Sequence, residues 1–168
     1  MTADLDRVAF AGPRAGMSDT QTRGVGRVLT RWYDEGATEL HHQGDLTGVQ
    51  LVDHAARHYL DLFVVAHPAA GQTRPVERAG VNDEIAIPLP ADGRDEHLAA
   101  LCGRVLVAVG GPAFWERAPV WRLAARAHDL GRVVAVVDLW GRELHDVSWP
   151  APDTTSKAAS RAAGTTET

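Results

Sequence analysis

Four short apolar runs constrain the fold more than anything else in this chain: Val8-Ala9-Phe10-Ala11, Leu62-Phe63-Val64-Val65-Ala66, Val105-Leu106-Val107-Ala108-Val109 and Val133-Val134-Ala135-Val136-Val137. They are nearly continuous rather than alternating, which is the pattern of strands covered on both faces and therefore of a parallel sheet. A weaker strand, Thr38 to His42, lies between the first two runs, and a short one is expected at Glu84 to Ile87.

The intervening segments carry helical periodicity. Val25, Val28, Leu29 and Trp32 repeat at i, i+3, i+4 and i+7, with Ser18 and Gln21 spaced as a capping box and Gly36 as a C-terminal stop. From Gly48 to Leu60, Val49, Val52, Ala56 and Tyr59 are expected to form the apolar stripe, leaving Gln50, Asp53, His54, Arg57, His58 and Asp61 on a solvated face. A shorter helix is expected from Arg94 to Cys102, with Cys102 in its core and Gly103 ending it. Pro119 suits the first turn of a last helix, in which Val120, Leu123, Ala124 and Ala127 share one face until Gly131. Alternating strands and helices imply an α/β fold: Rossmann-like, doubly wound, with a mostly parallel sheet flanked by helices in a single domain. That domain is expected over 1–150, and 151–168, rich in Ser, Thr, Ala and Gly without periodicity, reads as a disordered tail.

With 168 residues, 45% of them apolar, the chain has material for one sizeable core. Seventeen Lys and Arg against 22 Asp and Glu give a formal charge of −5, which argues against a broad nucleic-acid footprint. No apolar run is long enough to span a membrane. The single cysteine excludes an internal disulfide, and with no basic-plus-apolar leader ahead of the first apolar run a cytoplasmic protein is expected.

In open parallel sheets small molecules bind outside the carboxyl ends of the strands, and the residues there carry the chemistry. His41-His42-Gln43-Gly44-Asp45-Leu46-Thr47-Gly48 occupies such a strand-to-helix junction; it is neither a Walker A loop nor a three-glycine dinucleotide fingerprint. His41 and His42 are adjacent on a strand, so they point to opposite faces and do not share a metal, though one could face a pocket. Arg14, after Gly12-Pro13, could clamp an anion, against the plainer role of a surface arginine in a turn. His67-Pro68 and Arg74 bring an imidazole and a cation to the same edge, and Gly110-Gly111 with Glu116 bring a glycine loop and a carboxylate. His54 and His58 have a zinc-compatible i, i+4 spacing, but without the Glu of a His-Glu-x-x-His motif they read as solvated, and no metal or cofactor is expected. Trp115 and Trp121 could stack on a base, against the plainer role of Trp121 flanking the sheet.

Taken together, Gly12-Pro13-Arg14, His41-His42-Gln43-Gly44-Asp45 with Gly48, His67-Pro68 with Arg74, Arg94, the segment from Arg117 to Arg126 with Trp121, and Trp140-Gly141 resemble the SLOG superfamily. That superfamily unites the DNA-processing protein A fold and the LOG phosphoribohydrolases, and the similarity is to its small single-domain members over most of residues 7–141. The resemblance implies a nucleotide or nucleotide-derived ligand contacted by Arg14, His42, Gly44, Asp45, Thr47, Gly48, His67, Arg74, Arg94, Gly110 and Gly111. The LOG signature Pro-Gly-Gly-x-Gly-Thr-x-x-Glu is only partly matched at Gly110-Gly111, and Arg117-Ala118-Pro119-Val120-Trp121 stands where a Ser-Gly-Thr-Trp segment is expected. Gln50 and Asp95 replace an expected Asp and Asn. Binding or sensing is therefore the first expectation. Hydrolysis of a nucleoside 5′-monophosphate with Glu116 as the carboxylate is the second, and a degenerate fold kept for protein interaction, as a homodimer through the Trp121 helix, the third.

Overall fold

A computed structural model describes residues 4–71, 82–84, 89–111 and 118–151. In chain order the elements are β1 (Asp4–Ala11), α1 (Asp19–Asp34), β2 (Glu39–His42), α2 (Leu46–Arg57), β3 (Phe63–Ala66), β4 (Asp83–Glu84), α3 (Ala91–Leu101), β5 (Cys102–Ala108), α4 (Pro119–Asp129), β6 (Val133–Val137) and β7 (Glu143–Leu144). They build one seven-stranded sheet in the order β4-β3-β2-β1-β5-β6-β7, parallel throughout except for β7 against β6. The α/β class and the doubly wound arrangement are those expected from the apolar runs. β4 pairs through Val65–Asp83 and Ala66–Glu84, so the expected Glu84–Ile87 strand begins one residue early, while 85–88 and the tail at 152–168 lie outside the described residues.

Strand period sorts the core into two layers. Val8 and Phe10 of β1 face α1 and α2 together with Val25, Leu29, Leu40, Leu51 and Leu106, whereas Ala9 and Ala11 face α3 and α4 with Leu98, Val105, Val107, Trp121 and Leu123. Among the described residues no helix is long and apolar enough to cross a membrane.

The helices correct five expectations. Only half of the capping box forms: Ser18 Oγ accepts the Gln21 N–H at 3.1 Å, but the Gln21 side chain turns inward and donates to the Val109 carbonyl at 3.0 Å. The buried side of α2 is Thr47, Gly48, Leu51, Val52 and Ala55, not Val49, Val52, Ala56 and Tyr59. Two contacts set that rotation: Asp45 caps the helix so that it starts at Leu46, two residues before its expected start, and Gly48 lies over the His42 ring where no Cβ fits. The helix ends at Arg57, so Tyr59, in the left-handed region at φ 57° and 91% exposed, is not part of it. His54 is not on a solvated face either, because it packs half-buried over Gly26 of α1. Finally, α3 starts at Ala91 and passes into β5 without a loop, so Cys102 opens a strand, and a Cβ on Gly103 would lie 2.7 Å from the Asp4 carbonyl oxygen.

The β6–β7 turn is held by Asp138, whose Oδ1 accepts the N–H groups of Trp140 and Arg142 at 2.9 Å each and whose Oδ2 accepts Arg142 Nε at 2.9 Å. It docks on α1 through bare backbone. A Cβ on Gly24 would collide with the Gly141 carbonyl, and Arg27 Nη2 donates to that same oxygen at 2.8 Å. Backbone cannot yield as a flexible side chain does, so Gly24→Ala is expected to destabilise the fold by about 1–3 kcal/mol in denaturant unfolding. A variant as stable as the parent would show that this turn does not dock on α1.

Candidate functional site

The strand order turns at β1, with β2 on one side and β5, reached through later connections, on the other. Such a switch point, at the carboxyl ends of β1 and β5, is the usual ligand position in open α/β sheets. From β1 the chain enters Gly12-Pro13-Arg14, closed by a Gly16 N–H to Pro13 carbonyl bond of 3.0 Å. Arg14 is exposed and has no hydrogen bond or ion pair among the described residues. From β5 it enters Val109-Gly110-Gly111. Gly110 and Gly111 are exposed, the nearest atom to a Cβ on Gly110 would be Pro13 Cβ at 3.8 Å, and a Cβ on Gly111 would meet nothing within 4 Å. The Gln21 bond to the Val109 carbonyl fixes the start of α1 beside this opening.

The first turn of α2 forms the third wall. A Cβ on Gly12 would lie 2.9 Å from Thr47 Cβ, and one on Gly16 3.0 Å from Leu46 Cδ2, so these glycines let the β1–α1 loop lie against the helix start. Asp45 Oδ1 accepts from Thr47 Oγ1 at 2.9 Å and from the Gly48 N–H at 3.1 Å. Its carboxylate is spent on the cap, while the N–H groups of Leu46 and Thr47 make no hydrogen bond among the described residues. Gly44, at φ 72°, reverses the chain so that its N–H donates to His42 Nδ1 at 3.0 Å. His42 is fully buried beneath this turn; burial pushes its pKa down to about 4, and its Nε2 is sealed without a partner.

On the opposite face of the sheet, beneath α3, lies a polar network that spacing did not reveal. His41 Nδ1 meets His67 Nε2 at 2.9 Å, and His41 Nε2 meets Glu39 Oε2 at 2.9 Å. Arg7 Nε donates to the same Glu39 oxygen at 3.0 Å, and the His97 ring of α3 stands 5.8 Å from that of His67. Burial lowers the pKa of His41, and burial with the neighbouring His41 and His97 takes His67 down to about 3. Close by, Asp95 Oδ1 accepts from Gln43 Nε2 at 2.7 Å and from Arg94 Nε at 3.2 Å. Burial raises the Asp95 pKa against the pull of Arg94.

The expected contacts thus divide. Arg14, Thr47, Gly48, Gly110 and Gly111 surround or abut the switch-point loops, with Gly44 and Asp45 shaping the turn beside them. His42 and His67 are buried on opposite faces of the sheet, and Arg94 is held by Asp95 within α3. Arg74 and Glu116 lie outside the described residues, as does Trp115. Trp121 is not presented for base stacking: it is 4% exposed in the core beneath α4, with Nε1 donating to the Gly111 carbonyl at 3.4 Å. Among the described residues no three His, Cys, Asp or Glu side chains are placed to hold a metal ion.

No family model matches the chain, and no curated protein matches it. Two solved structures share its fold. One is the molybdenum cofactor binding protein from the phototrophic bacterium Rippkaea orientalis, with a TM-score of 0.59 and 14% identity over 79% of this chain and 76% of that one. The other is TM1055, with a TM-score of 0.52 and 16% identity over 76% and 71%. At such identities the likeness establishes the architecture, a Rossmann-like α/β fold.

The buried histidines make stability depend on acid. A histidine whose folded pKa is depressed binds fewer protons folded than unfolded, so stability is present above the unfolded value of 6.5 and is lost as pH falls through the folded one. For His42 the window runs from 6.5 down to about 4, and the loss amounts to about 3 kcal/mol. His67 and His41 act in the same sense, and Asp95 in the opposite one. The melting temperature should fall steadily between pH 7 and pH 4; a flat profile would contradict the burial of these rings.

Proposed function

We propose that this protein binds or senses a nucleotide or nucleotide-derived small molecule at the β1/β5 switch point, as a small SLOG-type domain. The observation that carries this is the meeting, at one edge of the sheet, of the exposed glycines Gly110 and Gly111, an Arg14 without a partner among the described residues, and the unbonded first-turn amides of α2. Glycines admit a ligand to the backbone, a guanidinium binds phosphate bidentately, and helix-start N–H groups favour an anion. The cofactor-binding name of the Rippkaea neighbour supports a small-molecule ligand for this architecture. Gly44, Asp45 and Gly48 shape the loop in this reading, and Arg74 supplies a further cation. Hydrolysis is not proposed, because its carboxylate, Glu116, lies outside the described residues, and Asp45 and Asp95 are committed to structural hydrogen bonds.

Thermal unfolding against nucleoside mono-, di- and triphosphates and ribose 5-phosphate tests the reading. A ligand at a hundred times its dissociation constant should add about 2.7 kcal/mol of stability. Arg14→Ala should leave the unliganded melting temperature unchanged and weaken binding about tenfold or more. Absence of stabilisation by every compound, or equal binding by Arg14→Ala, would overturn the proposal.

A further inference from the structure

The Glu39–His41–His67 chain has a direction that its hydrogen bonds fix. Glu39 is paired with Arg7 and, as a carboxylate, only accepts, so His41 Nε2 is the donor in their 2.9 Å contact. A neutral imidazole carries one N–H, which leaves His41 Nδ1 as the acceptor and His67 Nε2 as the donor in theirs. The unprotonated nitrogen of His67 is then Nδ1. It has no hydrogen-bond partner among the described residues, and it is not sealed in, since the sealed unpartnered side-chain atom among them is His42 Nε2. His67 directly follows β3, its backbone N–H bonded to the His42 carbonyl at 2.8 Å, which sets it at the carboxyl edge of the sheet.

We propose that Glu39, His41 and His67 form a directed hydrogen-bond relay whose outer end, His67 Nδ1, accepts a hydrogen bond from a ligand hydroxyl at the carboxyl edge and takes up a proton only from acid. The ligand class is a hydroxyl-bearing small molecule such as a sugar. The ligand hydroxyl keeps its proton and donates it in that bond; where acid supplies a proton to His67 Nδ1 instead, the relay passes the charge inward. The proton on His67 Nε2 crosses to His41 Nδ1, and His41 becomes an imidazolium that donates to Glu39 on one side and to His67 on the other. The pair gains one proton and the charge rests beside the Glu39 carboxylate. A second proton would leave two N–H groups facing each other across 2.9 Å, so the pair exchanges protons singly. His67 is the exchanging group, and Glu39 and His41 are positioning residues.

The charges around the relay agree with this. Arg7 of β1 anchors Glu39, while Arg94 and His97 of α3 and His42 of β2 disfavour a charge resting on His67 itself. Asp95, the remaining ionisable group of α3 beside the relay, is engaged with Arg94 and Gln43. The relay stands on the unliganded protein and does not require the ligand to be a nucleotide.

Long-range ¹H–¹⁵N correlation of the histidine rings in the full chain near pH 7 tests it. His41 and His67 should each be protonated at Nε2 alone, and on acidification the two should change together with uptake of one proton. Glu39→Gln keeps an acceptor but removes the charge, and should move that step down by about one pH unit or more. In His41→Phe, His67 should lose its single tautomer and become a mixture. The proposal is overturned by His67 protonated at Nδ1 near pH 7, by independent titration of the two rings, or by a step that Glu39→Gln leaves in place. Should acid unfold the chain before the rings titrate, the neutral-pH tautomers decide, and a His67 tautomer unchanged in His41→Phe overturns the relay.

Discussion

Everything in this molecule is arranged around β1 being paired in parallel on both sides. Val8, Ala9, Phe10 and Ala11 have essentially no exposed surface, and they lie in register with Leu40, His41 and His42 of β2 on one side and with Arg104, Val105, Leu106 and Val107 of β5 on the other. A parallel neighbour cannot be reached by a tight turn, so each pairing requires a crossover, and a strand buried on both faces requires helices above and below it. The side-chain sizes on β1 follow from this. Val8 and Phe10 fill the α1/α2 layer, whereas Ala9 and Ala11 leave room for Leu98, Trp121 and Leu123 beneath α3 and α4. The same constraint sets the switch point: the chain leaves β1 in one direction and returns beside it from the other, so the loops after β1 and β5 meet at the carboxyl edge, with Gly110 beside Pro13.

Around that edge the fold uses bare backbone to bring elements together and buried polar chains to fix them. Gly12, Gly26, Gly48 and Gly24 each stand where a side chain would meet Thr47, His54, His42 or the Gly141 carbonyl. Gln21 and Asp45 turn their polar atoms to neighbouring backbone, which locks the starts of α1 and α2 relative to the sheet. The histidines beneath are held neutral by burial, so hydrogen bonding rather than charge governs the interior near pH 7. Arg14 is different: it is exposed in the β1–α1 loop, with no hydrogen bond or ion pair among the described residues.

The sheet was legible in the sequence because β-branched runs such as Val105 to Val109 and Val133 to Val137 carry their burial in composition. The caps at Ser18, Pro119 and Gly131 were legible because local chemistry sets them. The face of α2 was not: the periodicity admits two stripes one residue apart, and a tertiary contact, Gly48 on His42, chooses between them. Gly103 resembles a helix stop but serves a close approach of β1 and β5, which no local pattern distinguishes. Of the site, the strand-end position of Gly110-Gly111 and the opposite orientation of His41 and His42 followed from strand geometry. The His41–His67 bond did not, since it joins residues 26 apart through the β2–β3 register. Asp95, which stands where the resemblance expects an Asn, is held by Arg94 and Gln43, a pairing visible only once α3 is placed over β2.

Backbone amide chemical-shift mapping with a nucleoside 5′-monophosphate tests the proposed ligand position at the β1/β5 switch point. The largest shifts are expected on Gly12, Arg14, Leu46, Thr47, Gly110 and Gly111, on one edge of the sheet. Shifts confined to the opposite edge, around Leu5, Phe63 and Val133, would contradict it.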